Sequence, residues 1–160
     1  MGLDMYMSKK TYVKQWSHNK PEEQFQVDVK KGGEPFNKIE PERVSYVVEE
    51  VAYWRKFNAL HNWFVNKCAD GVDECQPIYV SEERMKELLE TLHKVKEVYD
   101  SNPPDKEEQL DDIFPTSSGF FFGGTEYDEY YIQEVNETIE LIENLLEEEG
   151  GDDYEYQASW

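Results

Sequence analysis

The sequence predicts an α+β domain in which three helices pack on a small antiparallel N-terminal β-sheet, followed by an acidic, flexible C-terminal tail. Three observations lead there. Short stretches near the beginning alternate apolar and polar residues with a period of two, as half-buried strands do. Three later stretches carry apolar residues at helical spacing. The last residues, DDYEYQASW, follow a glycine pair and are rich in acids and tyrosines. The 160 residues suit one domain, expected to span 1–149 with 150–160 as the tail.

The strands come first. Leu3, Met5 and Met7 alternate with Asp4, Tyr6 and Ser8, and Phe25, Val27 and Val29 alternate with Gln24, Gln26 and Asp28. WSHNKPEE between them reads as a loop, and KKGGEP ends the second strand with turn residues. The first helix is expected from Pro41 to about Lys67: proline suits a first helical position, Glu40 and Glu42 suit the positive end of the dipole, and no breaker appears before Gly71. CADGVDECQP is then a loop. Ser81 caps a second helix with the apolar stripe Met85, Leu88, Leu89, Leu92, Val95 and Tyr99. SNPPDKEEQLDD (101–112) reads as a polar linker, and Phe120–Phe122 as a short extended segment between glycines. Thr125 is expected to cap the last helix, whose stripe is Ile132, Val135, Ile139, Ile142 and Leu146.

Charge narrows the function classes. The net charge is −20, and residues 107–160 hold 17 of the 36 acids with no Lys, Arg or His. Residues 1–106 keep 19 acids against all 16 Lys and Arg. An acidic face on a nearly neutral body argues against direct nucleic-acid binding, because phosphates attract basic surfaces. No apolar run approaches the roughly 18 residues of a membrane span. No basic segment followed by an apolar one marks a secretory leader, so a cytoplasmic protein is expected. Cys68 and Cys75 are the only cysteines, and the three histidines are scattered, so no metal site and no cofactor are expected.

The segment YWRKFNALHNWF (53–64) carries the candidate ligand site. On a helical wheel Glu50, Asn58 and His61 fall inside the apolar sector, flanked by Arg55 and Asn62. Buried polar groups either satisfy one another or line a cavity. Trp54 offers a stacking surface, Arg55 a planar cation suited to phosphate or carboxylate, and Asn58, His61 and Asn62 offer donors and acceptors. An aromatic plate with amides and a guanidinium is a common way to hold a nucleotide. The glycine-rich stretch with Ser118, Gly119, Gly123, Gly124 and Thr125 precedes a helix start, where free N–H groups can hold an anion. No Lys follows it, so it is not a phosphate loop of the nucleotidase type.

No catalytic set stands out. Glu50 and His61 are too far apart on one helix to act as a dyad, and no nucleophile lies in a recognisable motif. An alternative reading makes the last helix a DNA mimic, whose Glu126, Asp128, Glu129, Glu134, Glu137, Glu140 and Glu143 imitate phosphates and inhibit a host defence or nucleic-acid-binding protein through its basic surface. An enzyme comes third. A homo-oligomer would complete a pocket that one chain leaves open.

The opening MGLDMY, the segment YWRKFNALHNWFV (53–65) and SGFFFGGTEYDEYY (118–131) resemble an uncharacterised family of small proteins encoded by bacteriophages and prophages. The likeness runs to about residue 146 and leaves out the tail. The family brings no established catalytic residues to transfer. What the resemblance implies is a phage accessory protein in the bacterial cytoplasm that blunts host defence, either by trapping a nucleotide signal or by blocking a defence protein.

Overall fold

Strand β1 (Asp4–Tyr12) sits inside a four-stranded antiparallel sheet, where its alternation of Met5 and Met7 with Tyr6 and Ser8 sends one row inward and one outward. The computed structural model describes residues 2–148 and 153–160. The other elements are the short strands β2 (Lys30–Lys31) and β3 (Glu34–Pro35), then β4 (Tyr46–Arg55), helix α1 (Asn58–Cys68), β5 (Ile78–Ser81), α2 (Glu82–Ser101), α3 (Lys106–Ile113), α4 (Glu129–Glu147) and β6 (Asp153–Ser159). The sheet order is β4-β1-β6-β5, and β2 and β3 form a separate hairpin. Gly32 and Gly33, at φ +61° and +82°, make its two-residue turn. Among the described residues no helix is long and apolar enough to cross a membrane.

The α+β class holds, with four helices among the described residues rather than three. The expected helix from Pro41 to Lys67 is two elements. Residues 46–55 are a strand paired along its length with β1, from Asp4 opposite Arg55 to Tyr12 opposite Tyr46. Val47, Val48, Val51 and the aromatics around them prefer the pleated surface, and β1 supplies the partner that turns this preference into a ladder. The reversal into α1 falls at Lys56, a non-glycine residue at φ +58°, so no breaker residue advertises it. Met7 pairs with Ala52 and Ser8 with Glu50, leaving Val51 as the additional residue of a bulge.

Three further expectations change. Residues 24–29 alternate but form no strand, because no neighbouring strand pairs with them. The supposed linker at 101–112 contains most of α3, anchored by buried Leu110. The expected flexible tail carries β6, which lies between β1 and β5 and buries Tyr154, Tyr156 and Ala158. Gly150, Gly151 and Asp152, where that tail was expected to begin, lie outside the described residues.

The α2 and α4 expectations are close to what is found. The Ser81 side chain accepts from the Arg84 N–H at 3.2 Å, and Met85, Leu88, Leu92 and Val95 are buried. Helix α4 is capped by Asp128, not Thr125: the Asp128 carboxylate accepts from the Tyr131 N–H at 3.1 Å. The core gathers the inward rows of the sheet with α1, α2 and α4. Each fully buried large aliphatic side chain contributes about 1.5–3 kcal/mol. Lys9 is the charged exception on the inner row of β1, and its ammonium meets Glu148 at 2.7 Å.

Strand β5 meets the sheet only through β6. Removing residues 149–160 therefore unpairs β5 and uncovers one side of β1, and the expected outcome is loss of the cooperative thermal transition. A truncated chain melting within a few degrees of the full one contradicts this placement.

Candidate functional site

The polar residues of the 53–64 segment divide between structural pins and a surface cleft. Trp54 points inward from β4, is 6% exposed, and donates its indole N–H to Thr138 Oγ1 at 3.0 Å. A stacking plate needs an open ring face, so the stacking role expected of Trp54 does not fit its position. His61 is 2% exposed. Its Nδ1 lies 2.7 Å from the Tyr156 hydroxyl and its Nε2 lies 2.9 Å from Asp73 Oδ2. Burial, then the neighbouring Asp73 charge, pushes the Tyr156 phenol far above its ordinary range. The phenol therefore stays protonated, and because a carboxylate only accepts, the His61 Nε2 donates to Asp73. His61 thus ties α1 to β6 and to the 69–77 loop, where Asp73 also accepts from the Trp160 indole at 3.2 Å. Asn62 is half-buried and accepts from the Asn66 side chain at 2.9 Å.

Asn58 organises the glycine-rich loop. Its amide nitrogen donates to the carbonyls of Phe122 (3.0 Å) and Gly124 (2.8 Å), and its oxygen accepts from the Ser117 N–H (2.9 Å). One buried side chain thereby holds both ends of the loop against the start of α1. Inside the loop the expected extended segment is a tight turn: Phe122 N–H bonds to Gly119 C=O at 3.1 Å, and Phe121 stands at φ +71°. Gly123, at φ +88°, lies against Lys56, and a Cβ there would meet Lys56 Cβ at 3.1 Å. No buried side-chain nitrogen or oxygen among the described residues lacks a partner.

The loop and the end of β4 enclose a cleft of about 290 Å³. Arg55, Lys56, Asn58, Gly123, Gly124, Glu126, Asp128, Tyr130 and Glu134 contribute to its walls. The volume sits at the lower end of the roughly 300–1,000 Å³ of small-molecule sites. Arg55 is exposed, with its Nε 3.8 Å from Asp4. Tyr130 is 78% exposed, so its ring is open to a ligand. Burial, then the charge of Glu137, raises the Glu134 carboxyl above its ordinary value. The Asp128 carboxylate is occupied as the cap of α4.

Of the residues expected at a ligand site, the fold brings Arg55, Asn58, Gly123 and Gly124 together. Trp54, His61, Asn62, Ser118, Gly119 and Thr125 are not among the cleft residues. Of the acids assigned to the alternative, Glu126, Asp128 and Glu134 line the cleft, whereas Glu129, Glu137, Glu140 and Glu143 do not. Sequence reasoning missed Lys56 and gave Tyr130 no ligand role. Adjacency to Arg55 marks Lys56, and nothing in the sequence marks its left-handed backbone. Among the described residues no group of three or more His, Cys, Asp or Glu is arranged to hold a metal ion. No protein-family model, curated protein or solved structure matches the chain.

Two substitutions check this reading. Asn58→Ala orphans two carbonyls and an N–H, and is expected to cost about 2–4 kcal/mol in chemical denaturation. A loss below about 1 kcal/mol contradicts the pin role. Glu134→Gln is expected to raise the melting temperature at neutral pH. The native state binds the Glu134 proton more tightly than the unfolded state, so the wild type loses stability as pH rises through that raised value, and glutamine does not. The advantage vanishes below the ordinary value of 4.5. An advantage that persists in acid contradicts the assignment.

Proposed function

We propose that this chain is a non-enzymatic binding protein whose cleft takes a nucleotide-like small molecule. The observation that carries the reading is the meeting of two cations, an open tyrosine ring and carboxylates in one concavity. Arg55 pairs with a phosphate through its planar fork, and Lys56 adds a point charge. Tyr130 supplies the stacking face that Trp54, being buried, does not. Glu126 and Glu134 accept from the amino groups of a base. Two cations face the carboxyl groups of Glu126, Asp128 and Glu134, so the cleft suits a ligand of low negative charge. A nucleoside monophosphate or a cyclic nucleotide fits this balance better than a triphosphate. With the resemblance of the MGLDMY and SGFFFGGTEYDEYY segments, the reading extends to a phage accessory protein that captures a nucleotide signal in the bacterial cytoplasm.

Titration calorimetry against a panel of mono-, di- and cyclic nucleotides tests it. At least one ligand is expected to bind. Arg55→Ala and Lys56→Ala are each expected to weaken it about tenfold or more, the effect of losing a charge-assisted contact. Binding by no ligand in the panel, or binding indifferent to both substitutions, overturns the reading.

A second reading, an acidic inhibitor of a basic host protein, is favoured by the exposed side of α4. Among the described residues Glu129, Glu137 and Glu140 have no Lys, Arg or His within ion-pairing distance. It requires that neutralising Glu137 and Glu140 to glutamine abolish capture of the basic partner while nucleotide binding is unchanged.

A further inference from the structure

One face of the sheet is covered by helices, and the other is open. The open face carries a row of aromatics: Tyr6 beside Tyr53 (ring centroids 5.2 Å apart), Tyr12 beside Tyr46 (5.1 Å), and Tyr79, with Val48 among them, all exposed. Between these rings its two cations are paired, while Glu50 and Asp153 leave the face with a small excess of acids. The Lys10 ammonium meets Glu155 at 2.8 Å, Arg55 lies 3.8 Å from Asp4, and the Tyr53 hydroxyl donates to Asp4 at 2.6 Å. A groove of about 410 Å³ crosses the face beside Val48 and Tyr79.

The chain leaves this sheet at the end of β1 and returns at β4 after an arm, residues 13–45. In the arm only Val13 is buried, while Trp16, Phe25 and Ile39 stand exposed. Ordering each residue costs about 1–2 kcal/mol, and an arm without a core of its own recovers little of that by burial. Exposed apolar residues beside an open apolar face mark an interaction surface, and the Trp16 indole donates to the Tyr12 hydroxyl of that face at 2.9 Å.

Charge identifies the occupant. Residues 13–45 hold six Lys and Arg against six Asp and Glu; residues 1–56 hold ten against nine, and residues 57–160 hold six against 27. The charge of the molecule therefore belongs to the part beyond residue 56, which carries −21 by this count. A basic partner is drawn to that part. Two copies of the chain repel one another through it and approach with least repulsion where the surface is near neutral. A two-fold contact sets a patch against itself, so a patch of low net charge repels its copy least. The arm is balanced in charge, and the open face sets Lys10 and Arg55 against Asp4, Glu50, Asp153 and Glu155.

We propose that the open tyrosine face, together with the 13–45 arm, is the interface between two copies of this chain. This inference is independent of the nucleotide reading.

Sedimentation equilibrium over about 1–100 μM protein tests it, since a dimer dissociates on dilution. The expected mass is twice the chain's 19.0 kDa. Val48→Glu and Trp16→Ser change exposed side chains, and each is expected to weaken association about tenfold or more. Raising salt from about 0.05 to 0.5 M is expected to tighten the dimer severalfold, because screening relieves repulsion between the acidic bodies. A single-chain mass throughout overturns the proposal, as does a dimer unchanged in both variants. A dimer that salt loosens also overturns it, since that is the behaviour of acidic-to-basic pairing. If a variant loses its native circular dichroism, amide exchange of the wild type decides. Protection of residues 14–50 that rises with protein concentration supports the interface, and protection independent of concentration overturns it.

Discussion

Strand β6 closes the fold. It pairs with β1 on one side and β5 on the other, so the sheet is continuous only while it is in place. Its inward row, Tyr154, Tyr156 and Ala158, faces the helices. The Tyr156 ring stacks on Phe64 at 4.2 Å and its hydroxyl reaches His61. A strand rich in carboxylates and tyrosines suits the site because alternation separates the two. Asp153 and Glu155 line up with the open side, where Tyr79 and Lys10 meet them, and the rings go inward.

From this closure follows the use of the polar residues in α1. His61 and Asn58 sit among aromatics because each is the meeting point of distant segments, and Asn58 also lines the cleft. His61 joins β6 to the loop before β5, and Asn58 joins the 117–124 loop to the start of α1. A buried polar side chain with all its partners specifies which segments meet. Two consequences reach the cleft. Gly123 and Gly124 of the loop line it, and Lys56 joins its wall at the backbone reversal that ends β4.

Much of this was legible in the sequence, and the remainder has physical reasons for being hidden. Period-two alternation marked β1, and Ser81 with its apolar stripe marked α2. For residues 46–55 the aromatic and valine pattern satisfies either a helix wheel or a paired strand. Only the presence of β1 alongside, far away in sequence, decides between them. The same alternation was present in Tyr154, Tyr156 and Ala158, masked by the acids between them and the glycines before them. At the candidate site, Arg55, Asn58, Gly123 and Gly124 were legible as residue types suited to a ligand. Whether Trp54 and His61 faced a ligand depended on Thr138 and Tyr156, and spacing along one segment carries no trace of such partners.

Charge and architecture are segregated in the same way. The near-neutral first third builds β1, β4 and the arm, and the acidic remainder builds the helical layer, β5 and the closing strand. The sheet and the helical layer both depend on that closing strand. Amide hydrogen exchange measures it directly. The account predicts that the amides of residues 154–158 exchange as slowly as those of residues 5–9 in β1, because both leave the sheet only in global opening. Exchange of 154–158 at the rate of a free peptide, with β1 still protected, would contradict it.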